Sequence, residues 1–178
     1  MDATETLAAL VKAARTGQRA ALEALYRRFA PVVHGILLAR LQPADADDLT
    51  QDVFETALAR LSSLREDAAF PGWIASIARH AALDATRRRV PLTGIAMDDL
   101  TDGTDVEAHV EARRAMEAIR SLPEAYRETL LLRLVEGLTG QEIAERTGLA
   151  PSSVRVNLHR GMALLRAALS TPIRGAST

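Results

Sequence analysis

The sequence predicts an all-α protein of two small helical domains joined by a flexible acidic linker, the second containing a helix-turn-helix. Three observations lead to this prediction. Apolar residues recur at helical spacing over most of the 178 residues, strand-like alternation is absent, and an acidic, glycine-containing stretch interrupts the pattern near the middle. We predict a first domain over 1–90, a linker over 91–109 and a second domain over 110–178.

The composition narrows the class of protein. There is no cysteine, which excludes disulfides and cysteine-ligated metal sites. No run of 18 uncharged apolar residues is present, and the first residues lack the basic start and apolar run of a signal peptide. We therefore expect a soluble, cytoplasmic protein without membrane insertion.

The first block runs from Leu7 to Arg89 and has about four predicted helices. Breaks are expected at Gly17, at Pro43 and around Pro71-Gly72, because glycine and proline interrupt helical patterns. The linker follows, and its acidic part, from Pro91 to Asp105, has no Lys or Arg beside Asp98, Asp99, Asp102 and Asp105.

The second block contains helix-turn-helix spacing between Gly140 and Leu158. Ala144 is small enough for two helices to cross closely, and Gly148 suits a turn that requires positive φ. Pro151 suits the first turn of the second helix. Anchors are expected at Leu149, Val154 and Leu158. DNA-binding groups are predicted at Ser152, Ser153, Arg155, Asn157 and Arg160. An ordinary helical hairpin with a solvated basic face is the alternative.

The helix after Pro71-Gly72 carries a second pattern. A buried stripe is expected at Ile74, Ile77, Ala78, Ala81 and Ala85. On the other side, an aromatic, small polar groups and arginines could stack on bases and follow a phosphate backbone. These DNA-binding candidates are Trp73, Ser76, His80, Asp84, Arg87 and Arg88. For Trp73, a position in the core is the alternative.

Five acids stand within eleven residues upstream, with no base among them: Asp45, Asp47, Asp48, Asp52 and Glu55. A calcium loop starting at Asp45 would need glycine at its sixth position, which is Thr50. Acids also suit a helix N-terminus. A docking face for a basic protein surface and plain solvation both remain open for the rest of the cluster.

Catalytic patterns are missing from the sequence. The four histidines are scattered, and no zinc-protease, nucleophile-elbow, phosphate-loop or dinucleotide motif is present. We expect no enzyme activity, no cofactor and no metal site.

Three stretches together resemble the extracytoplasmic-function (ECF) sigma factors, small bacterial sigma subunits of RNA polymerase. The segment 48–54, DLTQDVF, is similar to the family's D-L-x-Q-[ED]-x-F motif, and 70–89 is similar to its F-x-x-W-L-x-x-I-A-R-N-x-x-[LI]-D-x-x-R-R stretch. The third stretch comprises Leu122-Pro123, Arg127, 136–138, 142–144 and 154–160. The three stretches occur in the family's order and spacing, and together the resemblance covers about 7–169.

The resemblance implies a function for each stretch. Asp48, Gln51, Asp52 and Phe54 would dock on the clamp helices of the polymerase β′ subunit. The 70–89 stretch would melt and read the minus-ten promoter element, and the last stretch would bind the minus-thirty-five element. The linker would pass through polymerase channels. Further expected partners are the polymerase β flap, promoter DNA and an anti-sigma factor.

The chain departs from the family pattern at three places. His80 stands where Asn is usual, Val156-Asn157 replaces Ser-Arg, and Gly161 replaces Ala, which lowers helix propensity by about 1 kcal/mol. These changes bear on promoter sequence and affinity. The competing hypotheses are a free-standing helix-turn-helix transcriptional regulator and an adaptor that binds an anti-sigma without supporting transcription.

Overall fold

The computed structural model describes residues 6–88 and 106–170, and within them every long element is a helix. The all-α prediction is confirmed. Residues 91–105 of the predicted linker 91–109 and the chain end after Ser170 lie outside the described residues. The last four residues of the predicted linker, 106–109, are already helical. Two short 3₁₀ turns, Leu61–Ser63 and Asp67–Ala69, precede α4. The helices are α1 (Leu7–Arg15), α2 (Arg19–Leu38), α3 (Pro43–Ala59), α4 (Phe70–Arg88), α5 (Val106–Ser121), α6 (Glu124–Leu134), α7 (Gly140–Thr147) and α8 (Pro151–Ser170).

The predicted breaks are confirmed at two of three positions. Gly17 has φ of 78° just after α1, and Pro43 is the first residue of α3. The break at Pro71-Gly72 is wrong, because α4 already begins at Phe70 and continues through both residues. Proline is accommodated there because the N–H that it lacks would have no partner in the first turn of a helix.

Helix α2 lies at the centre of the first domain and contacts α1, α3 and α4. Its face towards α4 is buried, and the Phe29 ring meets Phe70 edge-on at 5.0 Å between centroids. Fully buried aromatic pairs of this geometry contribute about 0.5–1.5 kcal/mol beyond the area they bury. This packing fixes where α4 starts.

In the second domain, α8 packs against α5, α6 and α7. The close approach of α8 to α6 occurs at Gly161, which is buried. A Cβ built there would lie 3.1 Å from Cδ1 of Leu130 and 3.2 Å from Cβ of Tyr126. The glycine that departs from the family pattern therefore permits a tighter α6–α8 contact than alanine would allow without a shift.

The two domains pack directly on each other in this structure. Helix α2 of the first domain contacts α6 and α7 of the second, and α4 contacts α7. At Gly35 the approach is so close that a Cβ would lie 2.6 Å from Cδ2 of Leu132. Buried apolar residues of both domains thus form one continuous core. We call this arrangement the closed state.

None of the helices of the described residues has both the length and the hydropathy that a bilayer crossing requires.

Candidate polymerase and promoter interfaces

Helix α3 presents three of its four predicted docking residues on one exposed side. Asp48, Gln51 and Asp52 are exposed, and Gln51 donates a hydrogen bond to Oε1 of Glu55 at 3.2 Å. The opposite side of α3 is buried against the core. This surface carries several carboxylates and offers a complementary site for a basic partner.

Phe54 does not share that exposure, because its side chain is only 3% exposed. Its ring packs at 4.7 Å from that of Tyr26, which is 44% exposed. Phe54 therefore supports the docking helix from within, and Tyr26 is the aromatic at the surface. Sequence reasoning missed Tyr26 because its spacing fits the apolar pattern of α2.

The polar face of α4 is exposed along most of its length. His80, Asp84, Arg87 and Arg88 are exposed, and Ser76 is half-buried. The Nδ1–H of His80 donates to the carbonyl oxygen of Ser76 at 2.7 Å. Because that bond occupies Nδ1, Nε2 is the nitrogen that a neutral ring offers as an acceptor.

Trp73 belongs to both the core and the surface. It is half-buried, and its ring lies 5.9 Å from that of Phe70 at an interplanar angle of 48°. One part of the indole thus packs on the core while the other borders open space. The two alternatives for Trp73, core residue and stacking platform, are therefore compatible.

An open groove of about 490 Å³ runs between α3 and α4. It brings two predicted sites together, since Asp52 of the docking face lines it beside Trp73, Ser76, His80, Asp84 and Arg88 of α4. Its apolar lining comes partly from Ile77, Ala81 and Ala85. The predicted buried stripe is confirmed at Ile74 and Ala78. Ile77, Ala81 and Ala85 also pack against the core but stay half-buried, and the further fully buried positions of α4 include Ala75 and Ala82.

The helix-turn-helix prediction is confirmed in its backbone. Thr139 caps α7 in a reciprocal capping box with Glu142, and Gly148 ends α7 with φ of 75°. The hydrogen bonds from the Thr139 backbone N–H and hydroxyl hold the pKa of Glu142 below its ordinary value. Ala144 and Val154 are buried, while Leu149 and Leu158 are half-buried against the core. Helix α8 begins at Pro151 as expected.

The predicted DNA-binding side chains of α8 point outward with one exception. Ser152, Ser153, Arg155 and Arg160 are exposed, and Asn157 is half-buried. Val156, which replaces a polar residue of the family pattern, is 40% exposed. The outer face of α8 therefore offers two guanidinium groups and two hydroxyls to a ligand.

A second set of arginines lies between the domains, and sequence reasoning did not single it out. Arg79 of α4 makes two hydrogen bonds to Glu128 of α6, at 3.0 and 2.7 Å. Those bonds raise the pKa of Arg79. Arg120 and Arg127 donate to backbone carbonyls of Leu41 and Ala39 at 3.0 and 2.8 Å. The partners are far apart in sequence, so only the tertiary structure reveals these pairs.

The turn of the helix-turn-helix rests on the start of α4. A Cβ at Gly148 would lie 3.1 Å from Cα of Gly72. A side chain at Gly148 would press on the backbone of Gly72, whereas a Cβ at Gly72 would come no closer than 4.0 Å to the Thr147 carbonyl oxygen, so Gly148 is the glycine that permits the contact. Helix α7 consequently contacts both predicted DNA-binding helices, α4 and α8, in the closed state.

Two parts of the chain match models of known protein families. Sigma-70 region 2 matches residues 25–90, and sigma-70 region 4 matches 112–165. The two regions follow one another as they do in sigma factors, the subunits that direct RNA polymerase to promoters. A free-standing helix-turn-helix regulator would account for only the second match.

Similarity to individual proteins identifies the group of sigma factors to which the chain belongs. The chain is 30% identical to the ECF RNA polymerase sigma factor ShbA of Streptomyces griseus, over 93% of this chain and 96% of that protein. This protein belongs to the ECF sigma factor family. It thus initiates transcription together with RNA polymerase at promoter DNA.

Two solved structures share the fold. CnrH in complex with the cytosolic domain of CnrY has a TM-score of 0.62 at 24% identity, with 91% of this chain and 96% of that chain covered. RpoE of Bartonella quintana in complex with the anti-sigma factor NepR has a TM-score of 0.55 at 18% identity, covering 84% and 97%.

Proposed function

We propose that the three exposed surfaces divide promoter recognition among them. The α3 face docks on the β′ clamp helices of the polymerase, α4 captures the unpaired non-template strand of the minus-ten element, and α8 reads the minus-thirty-five duplex. The observation that carries this proposal is the burial pattern, because each helix buries its apolar side and leaves its predicted polar side open. The sigma itself performs no catalysis, and it works in the cytoplasm.

Strand capture uses the groove between α3 and α4. The half-exposed indole of Trp73 offers a face on which a base stacks, and Nε2 of His80 offers a hydrogen-bond acceptor. Arg87 and Arg88 at the end of α4 follow the backbone phosphates. The acids Asp52 and Asp84 on the groove restrict where a phosphate can approach, so the base rather than the backbone enters it.

The closed state cannot engage both promoter elements at once. The elements lie about 25 base pairs apart, or about 85 Å at about 3.4 Å per base pair. Helix α8 begins three residues after Gly148, which places its start within about 11 Å of Gly148. Since Gly148 touches Gly72 of α4, the domains must separate before α4 and α8 reach their elements.

We propose that core polymerase drives this separation by holding the α3 face on the clamp and the second domain on the β flap. An anti-sigma factor opposes it by stabilising a state that polymerase cannot use. The shared fold with a sigma factor bound to an anti-sigma factor supports this part of the proposal.

The docking face is tested by charge reversal. We expect Asp48→Lys with Asp52→Lys to abolish run-off transcription with purified core polymerase, because like charges then meet on a basic clamp. The matched control is Glu23→Lys with Glu111→Lys, which makes the same change in net charge at two exposed acids elsewhere. Equal core affinity of the two double variants would overturn the assignment of α3.

A further inference from the structure

His34 of α2 lies between two carboxylates that come from different parts of the fold. Its Nδ1 is 2.6 Å from Oε1 of Glu136, which follows α6 in the second domain. Its Nε2 is 3.2 Å from Oδ1 of Asp47 on α3, at ion-pair distance but outside hydrogen-bond geometry. The Nε2 atom is buried, whereas the Asp47 side chain is 72% exposed.

This arrangement favours the doubly protonated ring. A neutral imidazole has one N–H, so only one carboxylate could face a donor while the other would face a lone pair. The imidazolium presents an N–H to each. The hydrogen bond to Glu136 raises the pKa of His34 above its ordinary value, with the charges of Glu136 and Asp47 adding to it and burial opposing it.

Separating the domains removes one of the two carboxylates. Glu136 leaves with the second domain, while Asp47 and His34 stay together in the first. The other interdomain ion pairs of the described residues join Arg40 to Glu124 and Arg79 to Glu128. Guanidinium groups do not lose their charge near neutral pH, so His34 is the group among these pairs whose charge changes there.

We propose that His34 is a proton-controlled latch between the domains: its protonation favours the closed state, and its deprotonation releases Glu136 and with it the second domain. The latch goes beyond promoter recognition, because it belongs to the free chain and needs neither polymerase nor DNA. A more acidic solution therefore holds the sigma closed, and a more alkaline one makes it available.

The direction follows from linkage. In the closed state the pKa of His34 lies above its value in the open state, which has lost Glu136 and keeps Asp47. The stabilisation of the closed state is therefore complete below the pKa of the open state. It is lost as pH rises through the higher pKa of the closed state.

The latch is tested on the full chain by energy transfer between two dyes. The natural sequence has no cysteine, so Ala59→Cys and Ala163→Cys, both at exposed positions, give one labelling site in each domain. We expect the closed-to-open ratio to fall about threefold or more between about pH 5.5 and pH 8.5, because a tenfold change accompanies each unit by which closure raises the pKa.

Two variants assign that change to the latch. His34→Gln removes the titrating group, and Glu136→Gln keeps an acceptor for Nδ1 but removes the charge; both should flatten the pH profile. The control is His159→Gln, which removes an exposed histidine of α8 and should leave the profile unchanged. Circular dichroism at each pH checks that every variant stays helical.

A wild-type profile that is flat, or a Glu136→Gln profile that matches wild type, would overturn the latch. Should His34→Gln lose its helical signal, Glu136→Gln still decides the matter, because it keeps the side-chain shape and an acceptor for Nδ1 of His34. Neither result bears on the docking and promoter surfaces, which are tested with polymerase present, so the two proposals fail separately.

Discussion

Two sets of arginines in this molecule have the same chemistry and opposite surroundings. Arg155 and Arg160 on α8 are exposed on the outer face of the helix. Arg79 and Arg127 are partly buried between the domains, where they bind the Glu128 carboxylate and the Ala39 carbonyl. The exposed set is available to DNA at once, whereas the interdomain set stabilises the closed state.

Residue type and helical position therefore do not suffice to assign an arginine to DNA. Arg79 and Arg87 both lie on α4, eight residues apart, and only Arg87 is exposed. Arg79 instead meets a carboxylate whose side chain is 9% exposed. Removing members of each set tests whether the two sets differ in function as they differ in exposure.

The largest effect is expected at Arg79. Arg79→Ala leaves the Glu128 carboxylate buried without its partner. We expect this to destabilise the closed state by about 3 kcal/mol, which is the lower end of the range for a broken buried ion pair, because Arg79 is partly exposed. The free chain should therefore shift to the open state in the energy-transfer assay. Replacing both partners, as Arg79→Met with Glu128→Leu, should restore closure. A single variant as closed as wild type would show that the ion pair contributes nothing to closure.

A smaller and more selective effect is expected at Arg155. This residue lies near the start of α8, where recognition helices approach base edges. Arg155→Ala should cost about 1–3 kcal/mol and relax selectivity at one base pair. Transcription from promoters randomised across the minus-thirty-five element measures it. An unchanged preference profile would show that another residue reads the base.

The smallest effect is expected at Arg160, further along α8, which we assign to a phosphate. Arg160→Ala should weaken binding to all sequences alike and lower the salt slope by about one unit. Binding to a minus-thirty-five duplex at several salt concentrations tests this. If selectivity changes and the salt slope does not, the roles of Arg155 and Arg160 are exchanged.

The sequence predicts local features of this fold well. The positive φ of Gly148 and the start of α8 at Pro151 depend on neighbours within a few residues, and the sequence predicts both of them. The presence of helices in both domains is likewise predicted by the periodicity of the apolar residues. The start of α4 at Phe70 differs from the prediction, because a proline in the first turn of a helix has the same sequence signature as a break.

What the sequence could not predict depends on distant partners. Phe54 fits a surface motif, yet the approach of Tyr26 from α2 encloses it. The pairing of His34 with Glu136 joins residues 102 positions apart. Local periodicity carries no information about such a contact. For the same reason, the packing of the two domains in the closed state cannot be predicted from the sequence patterns. The roles of individual residues at polymerase and DNA stay predictions.

The central claim is that the domains must separate for this sigma factor to work. Arg40 and Glu124 form an ion pair across the interface, so Arg40→Cys with Glu124→Cys provides two thiols in a chain that otherwise has none. A disulfide-containing crosslinker between them locks the closed state, and a reducing agent unlocks it. In run-off transcription with core polymerase, we predict no transcript from the locked chain and full recovery after reduction. A locked chain that transcribes as well as its reduced form would contradict the account.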